Sequence, residues 1–372
     1  MQKEVKERNT YLDLLKIVAI FLIVMYHVHD NIFIIKNGNI IIDFFSFIFH
    51  YLSGNIGNLI FITISAYYLI KSKGPKLNKI IFLILIQTVT SIIMIIPIKI
   101  YKLDNISFYY LKSTFFPFFT GVSYWFINAY IIYYMIHGYL NRFIESISKK
   151  EHKTIVLLCL FYFMLLPLFF KGPLVNRSYF TSFIIIHFLV SYIDKYMQDF
   201  NFKKSTIILS LLYLLILIFV FLLDIVLKTD RFKHMMNLDQ SRFYNLILVL
   251  SIVSLVFNKK NINMKPSAFI YTISSLSLCI YLIHYNQIPK KAITADLFEK
   301  NMWAFLDGRY SYVVDRLIYF GAAVLYFLAN VVLAYIYKMI IYPILNPLSD
   351  KIANKISKTW AEIEEKYDKN DK

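Results

Sequence analysis

The feature that most constrains this chain is a succession of long apolar runs, such as YLDLLKIVAIFLIVMYHV and STIILSLLYLLILIFVFLLDIV, separated by short basic stretches. A helix of about 20 apolar residues, rising about 1.5 Å per residue, crosses a hydrocarbon core of about 30 Å. Lipid offers no water to backbone N–H and C=O groups, so only helices or a closed barrel can span it. With 58% hydrophobic and 17% charged residues the chain is too apolar for an ordinary soluble domain. Ile, Leu, Phe and Tyr fill the runs and Gly and Pro number only 9 each, which suits helices and not the alternating short strands of a barrel. The expected fold is all-α, a polytopic transmembrane helical bundle.

About ten runs qualify as spans: 12–33, 56–71, 80–98, 123–140, 154–170, 179–197, 205–227, 243–257, 268–288 and 317–341. The stretch 40–52, short and interrupted by Asp43, reads as an interfacial or re-entrant helix. The first run carries Asp13 and Lys16 and lacks a small-residue cleavage site, so it reads as a retained span. Short linkers leave no room for a second soluble domain. Residues 1–348 are expected to form one membrane domain, and 349–372, with Trp360, a charged cytoplasmic tail. Lys and Arg are about twofold denser in the loops on the N-terminal side, which puts both termini in the cytoplasm.

The formal charge of +17 does not imply nucleic acid, because the lysines sit between apolar runs and form no basic domain. Juxtamembrane anchoring to lipid accounts for them. Cys159 and Cys279 lie far apart inside apolar stretches and read as packing residues. No histidine pair has metal-ligand spacing, and Gly-rich phosphate loops and GxSxG elbows are missing from the sequence.

Ionisable side chains inside spans are expensive, so each is a functional candidate. The first span holds Asp13, Lys16 and His27. Eleven residues are close to three turns, so Lys16 and His27 share a face about 16 Å apart along the axis, and Asp13 can pair with Lys16 at i,i+3. The pair is either a snorkelling couple at the interface or part of a cavity. Histidine titrates near neutrality, so His27 suits proton abstraction from a hydroxyl, or transient acyl transfer as a nucleophile. Asp30, three residues on, either orients its ring or, with His29, faces outer water. Further candidates are Ser65, Trp125, Asn128, Tyr281 and His284, with His187 more readily a core residue. The loop KSKGPKLNK concentrates Lys71, Lys73, Lys76 and Lys79, either as an ordinary positive-inside loop or as a phosphate-binding one.

These residues resemble the pattern of acyltransferase family 3, a group of ten-span membrane acyltransferases. Its mark is a basic residue, ten intervening residues and a histidine in the first span, matched by Lys16 and His27 in RNTYLDLLKIVAIFLIVMYH. LIFITISAYYLIKSK, SYWFINAYIIYYMIHGYLNRFI and LCIYLIHYN follow in the family's order. Ser65-Ala66-Tyr67 stands where the family usually has Ser-Gly-Tyr. The resemblance implies acetyl-CoA as a cytosolic donor, His27 as the catalytic residue, and Arg8 and Lys16 near the donor phosphates, with Tyr281 and His284 lining the site. Where the family often carries Arg-x-x-Arg, this chain has Lys76 and Lys79, which keep the spacing without the bidentate fork. The Trp-Phe span followed by LNRFI is similar to the exopolysaccharide and capsule O-acetyltransferase branch. That implies a plasma-membrane enzyme with a polysaccharide acceptor, beside polysaccharide-synthesis machinery. The other class open to such a chain is a transporter of a glycan or lipid-linked sugar, although the sequence shows neither paired broken helices nor repeats.

Overall fold

A computed structural model of the chain describes residues 9–29, 53–100, 108–120, 124–162, 179–227, 243–258, 264–284 and 312–370, with isolated residues at 40, 44 and 48. The described residues are helical or form short turns, with no strand among them. Most of the stretch 40–52 lies outside the described residues, as do Arg8 and Asp30.

Helix α1 (Thr10–His29) starts where Asn9 accepts the Leu12 N–H at 3.1 Å, an N-cap that satisfies one of the helix's orphan donors. It leads to α2 (Ser53–Leu69), α3 (Leu77–Ile100), the short α4 (Phe108–Phe115) and α5 (Pro117–Thr120), and α6 (Trp125–Ser146). Then come α7 (Lys149–Leu160), α8 (Tyr179–Tyr196), α9 (Phe202–Val226) and α10 (Phe243–Phe257). The expected span 268–288 is broken at Leu276 into α11 (Ala268–Ser275) and α12 (Ser277–His284). The final helix, α13 (Tyr312–Asn370), runs through Pro343 and Pro347, so the expected domain boundary at 348 falls inside one helix.

Four described segments are long and apolar enough to cross a membrane: Thr10–His27, Leu77–Met94, Phe202–Leu223 and Phe320–Glu365. The shorter Ile247–Phe257 and Ala268–His284 are also apolar. In α1, 56% of the spanning window is buried, against 22% in α9 and 17% in the last span, so α1 is the central helix and α9 and α13 form the outside. Ile207, Leu211, Leu215, Phe219 and Leu222 are exposed along α9, the surface a lipid-facing helix presents.

Helix α1 packs on α2, α11, α12 and α13. Leu12, Leu15, Ala19, Ile20, Ile23 and Val24 are buried along it. The α1–α2 contact is unusually close: a Cβ on Gly57 would stand 2.5 Å from the Ala19 carbonyl oxygen and 2.7 Å from Ile23 Cγ1. Small residues permit this approach, which bilayer helices use because apolar burial alone does not drive their association. Polar pairs join α9 to α10, Ser205 to Ser254 at 3.2 Å and Ser210 to Ser251 at 2.7 Å. Tyr11 ties α1 to α10 by donating to the Leu255 carbonyl at 2.9 Å.

Gly57→Leu forces α1 and α2 apart, because the clashing atom is backbone and cannot step aside. The expected cost is about 2–3 kcal/mol, read as a thermal unfolding midpoint in detergent lowered by several degrees.

Candidate functional site

Two histidines meet near the end of the bundle remote from Thr10. His27 lies seventeen residues into α1, about 25 Å along its axis. Its Nδ1 stands 2.8 Å from the Ile23 carbonyl, and His284, the last residue of α12, places Nδ1 2.7 Å from the Ile280 carbonyl. Carbonyl oxygens only accept, so these bonds assign the proton of each ring to Nδ1 and leave each Nε2 with the lone pair. His284 Nε2 lies 3.3 Å from His27 Nδ1, so it shares the N–H that His27 gives to Ile23. The ring centroids are 5.2 Å apart. Chemically, His27 presents a basic Nε2, and a proton gained there is stabilised through Nδ1–H by a neutral second imidazole.

The end of α12 is held by a strained residue. Tyr124 has φ 62° and ψ 35°, the one non-glycine positive φ among the described residues. Left-handed backbone at a bulky residue costs on the order of 1–2 kcal/mol and persists only when its surroundings impose it. Here Tyr124 is fully buried, its hydroxyl donates to the Leu282 carbonyl at 3.2 Å, and its ring lies 6.3 Å from that of Tyr281. It thus fixes the turn that carries His284. On the other side of α12, Lys338 of α13 donates to Ser275 Oγ at 2.8 Å and reaches its carbonyl at 3.4 Å, placing a cation at the C-terminus of α11 where the helix breaks.

On the Thr10 side of the histidines lies a cavity of about 230 Å³. Ile23, one turn before His27, forms part of its wall, with Phe61 and Ser65 of α2 and Leu83 of α3. Tyr281 closes the end nearest the histidines, its ring 5.8 Å from that of His284. At the opposite end stands Lys79, which both lines the cavity and is exposed, so the cavity opens there. Its ammonium donates to the Tyr130 hydroxyl at 3.1 Å and sits 4.4 Å from the centroid of Tyr134, a cation–π contact worth about 0.5–2 kcal/mol. The wall is therefore apolar between a cation at the mouth and an aromatic, imidazole-backed floor.

The lysine loop is docked against α6 over most of its length. Asn141 donates from Nδ2 to the carbonyls of Leu69 at 2.9 Å and Ser72 at 2.8 Å. Lys76 N–H donates to the Tyr134 hydroxyl at 3.2 Å, and a Cβ on Gly138 would meet Gly74 Cα at 3.0 Å. The four lysines then divide. Lys71 pairs with Asp194 at 3.1 Å and lies over the Tyr67 ring, whereas Lys73 and Lys76 are exposed around the mouth that Lys79 marks.

The remaining candidates are placed as follows. Asp13 is buried and pairs with Lys16 at 3.1 Å, the i,i+3 contact the spacing requires. Lys16 also lies over the Tyr68 ring of α2 and is not part of the cavity lining. Asn128 donates to the Pro117 carbonyl at 3.1 Å, joining α6 to α5, and Trp125 packs edge-on against Phe126. His187 is buried 2.7 Å from the Tyr133 hydroxyl, outside the cavity. Ser65, Lys79, Tyr281, His284 and His27 are thus brought together. Tyr130, Tyr134, Tyr124 and Lys338 join them without having been singled out in the sequence.

Replacing Asn141 with Ala leaves two loop carbonyls without their donor, at a cost of about 2 kcal/mol. The expected outcome is roughly 30-fold faster tryptic cleavage after Lys71 or Lys73 in the folded protein, measured by limited proteolysis in detergent.

A comparison with curated proteins and one with solved structures find no match. A family model described as an acyltransferase domain matches residues 9–343, from the residue that caps α1 to the first proline of α13, and so takes in both histidines, the cavity and the lysine loop. This membrane-embedded helical chain belongs to acyltransferase family 3.

Proposed function

We propose that the protein is a membrane O-acyltransferase that moves an acetyl group from cytosolic acetyl-CoA to a hydroxyl of a cell-surface or extracellular polysaccharide. The observation that carries this reading is the paired imidazoles of His27 and His284 at one end of an apolar cavity whose other end opens at Lys79. An acyl donor has this polarity: a phosphorylated, strongly anionic head, a flexible arm and a neutral thioester. Lys73, Lys76 and Lys79 offer ammonium groups to the phosphates at the mouth. The arm and thioester enter between Phe61, Leu83 and Tyr130. Lys16 and Lys71 are held by Asp13 and Asp194, whose carboxylates offset their charge, so they are weaker contacts for the donor than Lys73, Lys76 and Lys79. Arg8 keeps the role the resemblance implies, as a donor contact, and Asp30 the one its spacing suggests, as orienter of His27.

In the proposed reaction the His27 Nε2 takes the proton of the acceptor hydroxyl as its oxygen attacks the thioester carbonyl carbon. The new C–O bond forms, the C–S bond breaks, and the sulfur leaves as thiolate. The proton taken by His27 is returned to the sulfur, so one ester and one thiol replace one alcohol and one thioester. Proton abstraction fits better than an acyl-histidine because Nδ1–H is committed to Ile23 and the second imidazole, which stabilises the imidazolium form. The basic loop at the donor end supports cytoplasmic termini in the plasma membrane, with the histidines toward the outside and any polysaccharide-synthesis machinery meeting them there.

His27→Ala is expected to lower ester-linked acetate on the surface glycan by about 10²–10⁴-fold with the protein still inserted, measured by acetate release under mild alkali. Unchanged acetate sinks the proposal, as does glycan export that proceeds without acetyl-CoA. Lys79→Ala is expected to raise the KM for acetyl-CoA about 10- to 100-fold while kcat changes little, measured by thiol release from detergent-solubilised protein.

A further inference from the structure

Beyond the cavity, α3 carries two polar side chains that have no hydrogen-bond partner among the described residues. Gln87 is fully buried and neither its Nε2 nor its Oε1 makes a hydrogen bond; Ser91 is 1% exposed and its Oγ makes none either. Their neighbours on the same helix behave otherwise. Thr88 donates to the Ile84 carbonyl at 2.9 Å, and Thr90 bonds both the Ile86 carbonyl at 2.6 Å and the Tyr337 hydroxyl at 2.7 Å. Ser91 has the same back-bond to its own helix on offer and leaves it unmade. A buried amide without partners is rare in a folded protein, and in a membrane interior nothing else is at hand to solvate it.

Position gives the pair a meaning. Lys79, Leu83, Gln87 and Ser91 follow one another in steps of four residues, each about 6 Å further along α3 and about 40° round it. Lys79 and Leu83 line the cavity, so Gln87 and Ser91 continue the α3 strip away from the mouth that Lys79 marks, on the side toward which α1 and α12 carry their histidines. No charged residue stands between Ile80 and Met94, so an ionic ligand has no counter-charge on this strip.

We propose that Gln87 and Ser91 form a subsite for the acyl acceptor, and that it takes an uncharged polyhydroxylated group. An amide offers two donors and an acceptor, a serine hydroxyl one donor and an acceptor, and neighbouring sugar hydroxyls offer the same mixture in return. Such a subsite rests on the O-acyltransferase reading above. It also explains why polar atoms that weaken the empty bundle are in place: they are satisfied when acceptor is bound.

The test uses the full-length protein in detergent with acetyl-CoA and, as acceptor, the producing cell's own surface polysaccharide after alkaline removal of its esters. Thiol release and unfolding midpoint are measured for wild type, Gln87→Met and Ser91→Ala. The expected result is acceptor KM raised about tenfold by Gln87→Met and about threefold by Ser91→Ala, donor KM unchanged, and midpoints equal to or above wild type. Acceptor KM within twofold of wild type in both variants overturns the subsite and assigns the pair to ordered water only. Equal rises in donor and acceptor KM overturn it too. If Gln87→Met does not insert, Ser91→Ala decides on the same readout. A wild-type protein that releases no thiol on adding polysaccharide removes the enzymatic reading itself, a failure distinct from that of the subsite.

Discussion

The close approach of α1 and α2 is the contact on which the rest of the bundle depends. At Gly57 there is no room for a methyl group between the two backbones. That brings the next two turns of the same strip of α2, Phe61 and Ser65, beside Ile23 and onto the cavity wall. Because α1 is central, whatever fixes α2 against it also fixes the distance from His27 to everything else. Helices α12 and α13 close the other side, where the break at Leu276 lets α12 end at His284 against His27. The break is stabilised by a cation, Lys338, and the far end by a strained tyrosine, Tyr124, so the second histidine is located by two independent ties.

Much of the candidate site was legible in the sequence because ionisable residues in apolar runs are conspicuous. Lys16 and His27 on one face of the first span, the lysine loop, Ser65 and the Tyr281–His284 pair could all be named from pattern and resemblance. Five of the named residues converge in space. What was missed lacked contrast with its surroundings. In a chain that is 18% aromatic, Tyr130 and Tyr134 look like belt or core residues. Tyr124 takes a backbone conformation that no glycine or asparagine announces, and the helix break at Leu276 has neither Gly nor Pro to mark it. Gln87 and Ser91 carry no charge, so the rule that flags intramembrane ions passes over them.

The expected architecture is helical throughout the described residues, and the spans within it differ in kind. Among the described residues four segments are long and apolar enough by themselves, while α2, α6 and α8 carry Asn, Ser, Thr, Tyr or His toward their neighbours. Such helices trade hydropathy for buried polar contacts, and a reading based on apolar length is least able to define them. The lysine loop shows the same limit from the other side. As a charge count it is one more positive loop; as a structure it is a shaped element, pinned by Asn141 and Tyr134 and divided between paired and exposed cations.

The apolar wall between Lys79 and Tyr281 also has an electrical consequence. The membrane potential does about 2.3 kcal/mol of work on each elementary charge moved through 100 mV. A passage with a cation at one end and hydrocarbon along its length rejects charge and admits neutral groups. Under the proposed reaction the phosphates remain at the ammonium-lined mouth and only the uncharged arm with its acetyl thioester passes inward along the wall. Its passage is therefore a step on which the voltage has no handle, and a cell that has lost its membrane potential keeps it unimpaired.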